Sequence, residues 1–271
     1  MPLVIDIDPV AFTLLGFPVR WYSLVLIAAA AVAIWLTLRE GRRRGIGGET
    51  VSDAIVWIAA AALVGSRALY VVQNELGTIA DDPLHALMIW QGGLSFYGGL
   101  VAAIGALVIF SRRRGLPFLL VADIAAPAAA LGQAIGHIGC LITGDSFGTA
   151  ASVPWAVVYR NPAAMAPLGV PLHPTQAYEA LALGALFVVL WRGRRRLEAV
   201  GTGALAATYL LGLSGVRFGL FFLRDEPAVL LGLKTAQWIG LGIAAVGLAI
   251  LAAVAARRTN TSGSIPEVGR P

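Results

Sequence analysis

One short stretch of this sequence, residues 136–148, holds an unusual density of side chains that can do chemistry. It places His137, Cys140 and Asp145 among four glycines, where an apolar segment gives way to a more polar one. Polar groups close to a bilayer core are energetically costly and usually functional. An unperturbed imidazole titrates at about pH 6.5, so His137 is the side chain here best suited to accept a proton. We therefore predict that the chemistry lies in this stretch.

Cys140 admits three interpretations. It follows His137 by three residues, so the two would share a helical face and could act as nucleophile and base. Together with His137, Asp145 and His173 it could instead bind zinc. The third interpretation is a small buried residue that lines a pocket. We favour this third interpretation and predict a site without metal or soluble cofactor.

Three arginines lie within or beside apolar segments. Arg217 and Arg224 are seven residues apart, about two helical turns, so one helix face could present both guanidiniums. Arg67 lies in the middle of another apolar segment. Guanidinium groups bind phosphate oxygens in a bidentate manner, so we predict that these arginines share a cavity and hold an anionic lipid head group. The alternative for Arg224 is snorkelling toward the interface, or a salt bridge to Asp225 or Glu226.

Two further groups of residues lie near the predicted outer ends of helices. Tyr97 is flanked by two glycine pairs, and Gly98 and Gly99 permit close approach of another helix or of a ligand. Tyr97 can donate a hydrogen bond but is a poor base, because its pKa is about 10. His173 and Glu179 are too far apart in sequence for one helical contact, so we expect them to bond to neighbouring helices and support the pocket.

The composition indicates an integral membrane protein. Of 271 residues, 58% are hydrophobic and 13% charged, against about 25% charged in soluble domains. A membrane span needs about 20 mostly apolar residues. Seven segments meet this requirement, at 20–38, 52–72, 93–110, 119–138, 176–191, 200–221 and 235–256. The single cysteine excludes an internal disulfide.

Clusters of arginine predict the orientation of these segments. Basic runs follow the first, third, fifth and seventh segments, which places all four on the cytoplasmic side by the positive-inside rule. This clustering also argues against nucleic-acid binding as the reason for the net charge of +5. We predict an all-α, polytopic bundle with the N-terminus outside, the C-terminus cytoplasmic, and a single membrane domain over residues 1–258. Residues 259–271 are polar and are predicted to form a disordered cytoplasmic tail.

Over residues 17–256 the chain resembles the bacterial prolipoprotein diacylglyceryl transferase family. Residues 136–148 are similar to its signature Gly-Arg-x-Gly-Asn-x-x-x-Gly-Glu-x-x-Gly, and residues 173–179 to His-Pro-(Ser/Thr)-Gln-x-Tyr-Glu. Further similar segments, in the family's order, are 20–22, 65–67, 92–99 and 217–225.

Five positions depart from the family pattern. Tyr97 stands where the family has histidine, His137 where it has arginine, and Cys140 where it has asparagine. Asp145 and Phe221 each stand where it has glutamate. The glycine frame is retained while polar side chains have changed, which is typical of a divergent member.

The resemblance implies that a diacylglyceryl group moves from phosphatidylglycerol to the lipobox cysteine of a prolipoprotein signal peptide, in the bacterial cytoplasmic membrane. His137 would then be the base or a weaker phosphate ligand in place of the arginine. The implied catalytic residues are His137, Tyr97, Arg217 and Asp145. The implied substrate-binding residues are Tyr22, Arg67, Gly98, Gly99, Gly139, Cys140, Gly148, His173, Glu179 and Arg224.

Two alternative functions stay open. One is a related membrane enzyme with another acceptor or donor lipid, and the other is a lipid-binding protein without catalysis. A transporter would show repeat symmetry or broken helices in both halves, and we find no clear repeat.

Overall fold

The computed structural model describes residues 2–14, 16–77, 82–88 and 93–262. This part of the chain is mostly helical, and each predicted apolar segment coincides with one α-helix. The helices are α1 (Trp21–Arg43), α2 (Gly48–Asn74), α3 (Phe96–Arg113), α4 (Phe118–Thr143), α5 (Thr175–Val200), α6 (Ala204–Leu220) and α7 (Thr235–Ser262). A 3-10 helix spans Pro83–Leu87.

Four of the helices are long and apolar enough to cross a membrane. They are Trp21–Arg43, Gly48–Asn74, Phe118–Thr143 and Thr235–Arg258. The expectation of a helical protein with membrane-spanning segments is confirmed to this extent. The crossing of all seven helices and the sides of the two termini stay predictions.

Within the described residues, seven short strands depart from the all-α prediction. They are β1 (Leu3–Ile5), β2 (Val10–Leu14), β3 (Phe17–Arg20), β4 (Val157–Tyr159), β5 (Pro171–Leu172), β6 (Ala228–Leu230) and β7 (Leu233–Lys234). β2–β3 and β6–β7 form antiparallel hairpins, and β4 lies between a parallel β1 and an antiparallel β5. Strands of two to five residues leave almost no period-two pattern, so sequence periodicity does not detect them.

The chain divides into two compact units. The first comprises residues 1–36 and 122–271, and the second residues 37–121. The prediction of one membrane domain is not tested by this division. The tail prediction is likewise untested, because residues 263–271 lie outside the described residues, although α7 runs to Ser262.

In the first unit, α4, α5 and α6 pack through small and branched side chains. Ala130 of α4 meets Leu190 and Leu205 in one buried cluster, and a second cluster joins Ala134, Leu183 and Leu213. Alanines on α4 permit close approach of its neighbours, as in other membrane helix packings. α4 is therefore held against α5 and α6, which carry an acid and an arginine of the predicted site.

The strands and loops between α4 and α5, residues 144–174, form a small layer that covers the C-terminal end of α4. We refer to it as the outer layer. Tyr159 of β4 is 1% exposed, and its hydroxyl donates to the Leu141 carbonyl at 2.8 Å. Met165 N–H donates to the Thr143 carbonyl at 3.0 Å. The last carbonyls of a helix lack partners within it, so these bonds complete the end of α4. Burial raises the pKa of Tyr159, so its hydroxyl stays a neutral donor.

The second unit is built on α2 and α3. A side chain at Gly98 would collide with the Gly65 carbonyl and the Leu69 side chain, and one at Gly99 with the Ser66 hydroxyl. The absence of side chains therefore lets the two helices touch at their backbones.

Candidate active site

Glu179 is the centre of a buried polar cluster in the first unit. Its side chain is 1% exposed, and its Oε2 accepts a hydrogen bond from Arg224 Nη2 at 2.8 Å. A buried carboxylate is tolerated only when it is paired, and Arg224 supplies that charge. Arg224 thus pairs with a residue 45 positions away, and not with Asp225 or Glu226 as the sequence alternative had it.

His137 lies close to the same carboxylate oxygen. Its Nδ1 is 3.2 Å from Glu179 Oε2. The ring is not aligned for a hydrogen bond, and Nδ1 is buried without a hydrogen-bond partner among the described residues. The charges that act on this imidazole are Glu179, Arg224, Arg217 and Asp145. Glu179 is thus in contact with His137, and the other three charged groups act on the imidazole electrostatically.

Arg217 is the cation of this cluster whose side chain is not paired with an acid among the described residues. Within the described ranges, its guanidinium makes no hydrogen bond and no ion pair. Its charge nevertheless acts electrostatically on His137 and on Tyr209. A half-buried guanidinium without an anion is suited to accept one from a ligand.

Phe221 accompanies Arg224 where the family has a glutamate. It is 4% exposed, and the Arg224 guanidinium carbon lies 4.9 Å from its ring centroid. A cation over an aromatic face gains electrostatic energy. Among the described residues, Glu179 is thus the acid that pairs with Arg224, and Phe221 adds an aromatic face beside the guanidinium.

Asp145 lies on a turn that follows α4. Its backbone carbonyl accepts from Gln176 Nε2 at 2.7 Å, and the Ser146 carbonyl accepts from Thr175 Oγ1 at 2.9 Å. Ser146 and Gly144 both have positive φ, at 62° and 75°, so the turn is tight. The start of α5 therefore fixes the turn that carries Asp145.

Gly148 lies where three segments meet. Its N–H donates to the His173 carbonyl at 3.2 Å, and it forms a β-bridge with Arg224. A Cβ here would lie 2.7 Å from the His173 carbonyl oxygen and 2.8 Å from that of Leu223. Glycine is required because the space of a side chain is occupied by two backbones.

Cys140 and Gly139 lie within the last turns of α4. Helix α4 continues to Thr143, so Cys140 shares a face with His137 as predicted. Cys140 is buried, and a side chain at Gly139 would meet the Tyr22 ring at 3.1 Å. Tyr22 of α1 therefore packs on this part of α4. No group of three metal-ligating side chains occurs in the part of the chain that the structure describes, so the zinc alternative has no support there.

His173 belongs to a separate group of interacting polar side chains in the outer layer. Its Nδ1 is 3.4 Å from the Tyr178 hydroxyl, which also accepts from Trp155 Nε1 at 2.6 Å. Its backbone N–H and carbonyl bond to Thr149 and Gly148. These contacts support the outer loop, and His173 is not among the residues that act on His137.

In the second unit, the Arg67 guanidinium is bound to the loop after α2. It donates to the carbonyls of Ala86, Gly93 and His85 at 2.9, 3.2 and 2.7 Å, and to Glu75 Oε2 at 2.9 Å. A buried arginine with this many acceptors holds a loop in place. The predicted phosphate role of Arg67 stays untested, and so does a cavity shared with Arg217.

The remaining predicted residues of the second unit are Tyr97, Gly98 and Gly99. Tyr97 is 51% exposed at the start of α3, whereas Gly98 and Gly99 are buried against α2. Of the two alternatives for the glycines, the observed contact is with another helix. Their role in substrate binding stays a prediction.

Several polar residues of the cluster were missed from the sequence. Gln133 Nε2 contacts the Tyr209 hydroxyl at 2.5 Å, one turn before His137 on α4. Lys234 and Gln237 bond to the end of α6. A signal for Lys234 was available, because it is the only lysine in the chain.

The fold is that of a helical membrane protein. Its polar cluster contains the buried acid Glu179, the imidazole of His137, and Arg217, which has no hydrogen-bond or ion-pair partner among the described residues. The family model for prolipoprotein diacylglyceryl transferase matches residues 9–253. The chain therefore belongs to the prolipoprotein diacylglyceryl transferase family, and by that membership it is a transferase.

Curated relatives support the same assignment. The chain is 35% identical to the phosphatidylglycerol–prolipoprotein diacylglyceryl transferase of Idiomarina loihiensis, over 90% of this chain and 92% of that protein. It is 34% identical to the protein of the same name from Methylibium petroleiphilum, over 90% and 94%. For the Sinorhizobium medicae protein of that name the identity is 32%, over 96% and 94%.

Proposed function

We propose that this chain transfers a diacylglyceryl group from phosphatidylglycerol to the lipobox cysteine of a prolipoprotein signal peptide. The names of its relatives state the donor and the acceptor protein. The observation that carries the proposal is the Arg217 guanidinium, which has no hydrogen-bond or ion-pair partner among the described residues. Its charge acts on His137, which contacts the Glu179–Arg224 pair. This arrangement offers one place for an anion and one for a proton.

The reaction breaks a C–O bond and leaves negative charge on glycerol phosphate. The sulfur of the acceptor cysteine attacks the glyceryl carbon, a C–S bond forms, and glycerol phosphate departs with the electron pair. Preorganised cations stabilise charge that develops in a transition state. We assign Arg217 to the phosphate and Arg224, whose charge Glu179 already balances, to the edge of the site.

The acceptor thiol must lose its proton during this attack. We assign His137 as the base, because Nδ1 faces Glu179 and the opposite ring nitrogen is then available to the thiol. Glu179, whose Oε2 lies 3.2 Å from Nδ1, stabilises the imidazolium that forms. Tyr97 is assigned as a hydrogen-bond donor to the substrates.

The other predicted residues are assigned to substrate binding. Tyr22, Gly139 and Cys140 line the α1–α4 contact next to His137. Gly148 and His173 shape the outer loop, and Arg67, Gly98 and Gly99 are also assigned to substrate binding. The chemistry assigned to these residues uses no metal or soluble cofactor.

We place the protein in the bacterial cytoplasmic membrane as a multi-pass protein with its N-terminus outside. The support is the arginine runs at the C-terminal ends of α1 and α3, which recur near the ends of α5 and α7. The signal peptide and the lipid would then reach the site from the membrane and its outer surface.

A transfer assay tests this function. Purified protein in vesicles receives phosphatidylglycerol labelled in its acyl chains and a lipobox peptide. Label on the peptide cysteine supports the proposal. Lipid turnover without peptide labelling would instead indicate another acceptor, and tight lipid binding without turnover would indicate a binding protein.

A further inference from the structure

Lys234 is the only lysine among the 20 basic residues of the chain. It ends β7 and immediately precedes α7. Its Nζ donates to the Phe221 carbonyl at 2.6 Å and also to the Arg224 carbonyl. A side chain that is unique in the sequence is thus directed at the backbone of the turn that follows α6.

Gln237 reinforces the same turn from the first residues of α7. Its side chain is 0% exposed. Nε2 donates to the Phe218 carbonyl at 3.0 Å, and Oε1 accepts from the Lys234 N–H at 2.9 Å. The Gln237 amide thereby fixes both the end of α6 and the residue that carries the ammonium.

These bonds hold carbonyls at and beyond the C-terminal end of α6. Phe218 lies in its last turn, Phe221 follows it directly, and Arg224 lies four residues past its end. The last four carbonyls of a helix have no partner within it, and cationic side chains near the C-terminus can bind them. An ammonium is a compact point charge with three rotatable donors, so it can serve two converging carbonyls. A planar guanidinium presents its donors in a fixed fork.

The turn held in this way connects the two arginines of the candidate site. Arg217 lies in the last turn of α6. Arg224 follows the turn and must reach Glu179 on α5 at 2.8 Å. Since Lys234 binds the backbone of Arg224 itself, a change in this bond would move the guanidinium relative to Glu179 and His137.

We propose that Lys234 and Gln237 are positioning residues that fix where Arg224 lies relative to Arg217 for diacylglyceryl transfer. This rests on the proposed function. The two side chains act through the backbone of the turn. A misplacement of about 1 Å can cost on the order of 100-fold in rate, so the effect is kinetic as well as structural.

The first test compares Lys234→Met with Lys234→Arg. Methionine keeps most of the length and loses the donors, whereas arginine keeps charge and donors. We expect Lys234→Met to lower kcat by roughly 10- to 100-fold with a much smaller change in KM. Lys234→Arg is expected to recover part of the loss, because the guanidinium keeps the charge and the donors but holds them in a fixed fork. Equal kcat for Lys234→Met and the wild type, per folded molecule, would overturn the proposal, as would a loss of thermal stability that fully accounts for the activity.

We refer to the Lys234 and Gln237 side chains, with their bonds to the turn after α6, as the clamp. Gln237→Glu tests the two hydrogen bonds of the Gln237 amide separately. Glutamate still accepts from the Lys234 N–H but no longer donates to the Phe218 carbonyl. We expect a loss of kcat smaller than that of Gln237→Leu, which lacks both bonds. Gln237→Leu with unchanged kcat would contradict the proposed role.

A readout independent of activity separates this proposal from the proposed function. Hydrogen exchange of the amides at 221–225 is measured in wild type and in Lys234→Met. We expect faster exchange in this segment and unchanged exchange in α4. If the wild type transfers no lipid but the exchange changes as stated, the proposed function fails and the clamp stands. Unchanged exchange at 221–225 would disprove the clamp whatever the activity.

Discussion

At the residue scale, Glu179 serves two partners at once. Arg224 Nη2 is bonded to its Oε2 at 2.8 Å, and His137 Nδ1 lies 3.2 Å from the same oxygen. Removing the carboxylate would leave a buried guanidinium without its counter-charge, which is strongly destabilising. Variants of His137 are therefore more informative about chemistry than variants of Glu179.

His137→Asn is expected to lower transfer by roughly 100-fold or more, because the positioned base is lost. Asparagine keeps a small polar group near Glu179, so folding is expected to persist. The rate is measured with labelled phosphatidylglycerol and a lipobox peptide, and the folded amount by thermal denaturation. His137→Arg, which restores the family residue, is expected to be equally slow. Faster transfer by His137→Arg than by the wild type would show that His137 is a weakened phosphate ligand and not a base.

Cys140→Ser is expected to leave the transfer rate within about threefold of the wild type, because the buried thiol packs in α4 and is not a nucleophile. The measurement is the same transfer assay, together with mass spectrometry of the protein after exposure to lipid. An inactive variant combined with a lipid adduct on Cys140 in the wild type would show that the reaction proceeds through a covalent intermediate.

Residue types alone pointed to His137, Glu179, Arg217 and Arg224, because charged groups in apolar segments are rare. Their partners could not be predicted, since the Arg224–Glu179 contact joins residues 45 positions apart. Lys234 was missed because its effect is exerted on backbone carbonyls, and the one sequence signal for it was that the chain has no other lysine.

At the scale of elements, α6 is held at both ends by side chains from outside the helix. Asp123 of α4 is 0% exposed and accepts from Gly203 N–H and Ala206 N–H, each at 2.8 Å. These bonds satisfy donors at the N-terminal end of α6 and oppose its positive dipole. Lys234 acts on the opposite end, so the position of α6 depends on two charges outside it.

Asp123→Ala is expected to destabilise the protein by about 2 kcal/mol, because two buried backbone N–H groups lose a charged acceptor. Unfolding is measured in a fixed lipid–detergent mixture. Asp53→Ala is the matched control, since the Asp53 side chain is 48% exposed and pairs with Arg114. Exposed ion pairs contribute at most about 1 kcal/mol. Equal destabilisation by the two variants would contradict the capping role of Asp123.

Apolar length predicted the helices well, but it did not place their ends. Helix α4 runs to Thr143 rather than 138, because the signature glycines do not interrupt it. Helix α5 runs to Val200 rather than 191, since arginines are good helix formers and continue it beyond the apolar segment. Helix ends therefore depend on propensity and capping, which hydropathy does not measure.

At the scale of the whole molecule, the arginine runs carry the prediction of orientation. Arg42 and Arg43 lie in the last turn of α1, and Arg112 and Arg113 in the last turn of α3. Cations at helix C-termini are also favoured by the helix dipole. The positive-inside rule and the helix dipole thus both favour arginines at these helix ends. Only a measurement of sidedness shows whether these ends are cytoplasmic.

Sidedness can be measured with single cysteines in the Cys140→Ser background. Ala163 and Thr202 are both exposed, and they lie in loops predicted to be outside and inside. We expect a membrane-impermeant maleimide to label Ala163→Cys in intact cells and Thr202→Cys only after permeabilisation. The reverse pattern would invert the topology, and labelling of both in intact cells would refute the predicted number of spans between them.

The central claim is that Arg217 holds the phosphate of the donor lipid, and the transfer rate of Arg217→Ala tests it most directly. Because one preorganised charge contact is lost, we expect a fall on the order of 100-fold. Arg160→Ala, which removes an exposed arginine of the outer layer, is the matched control and is expected to transfer at the wild-type rate. An Arg217→Ala protein that is folded and transfers diacylglyceryl as fast as Arg160→Ala would contradict the account.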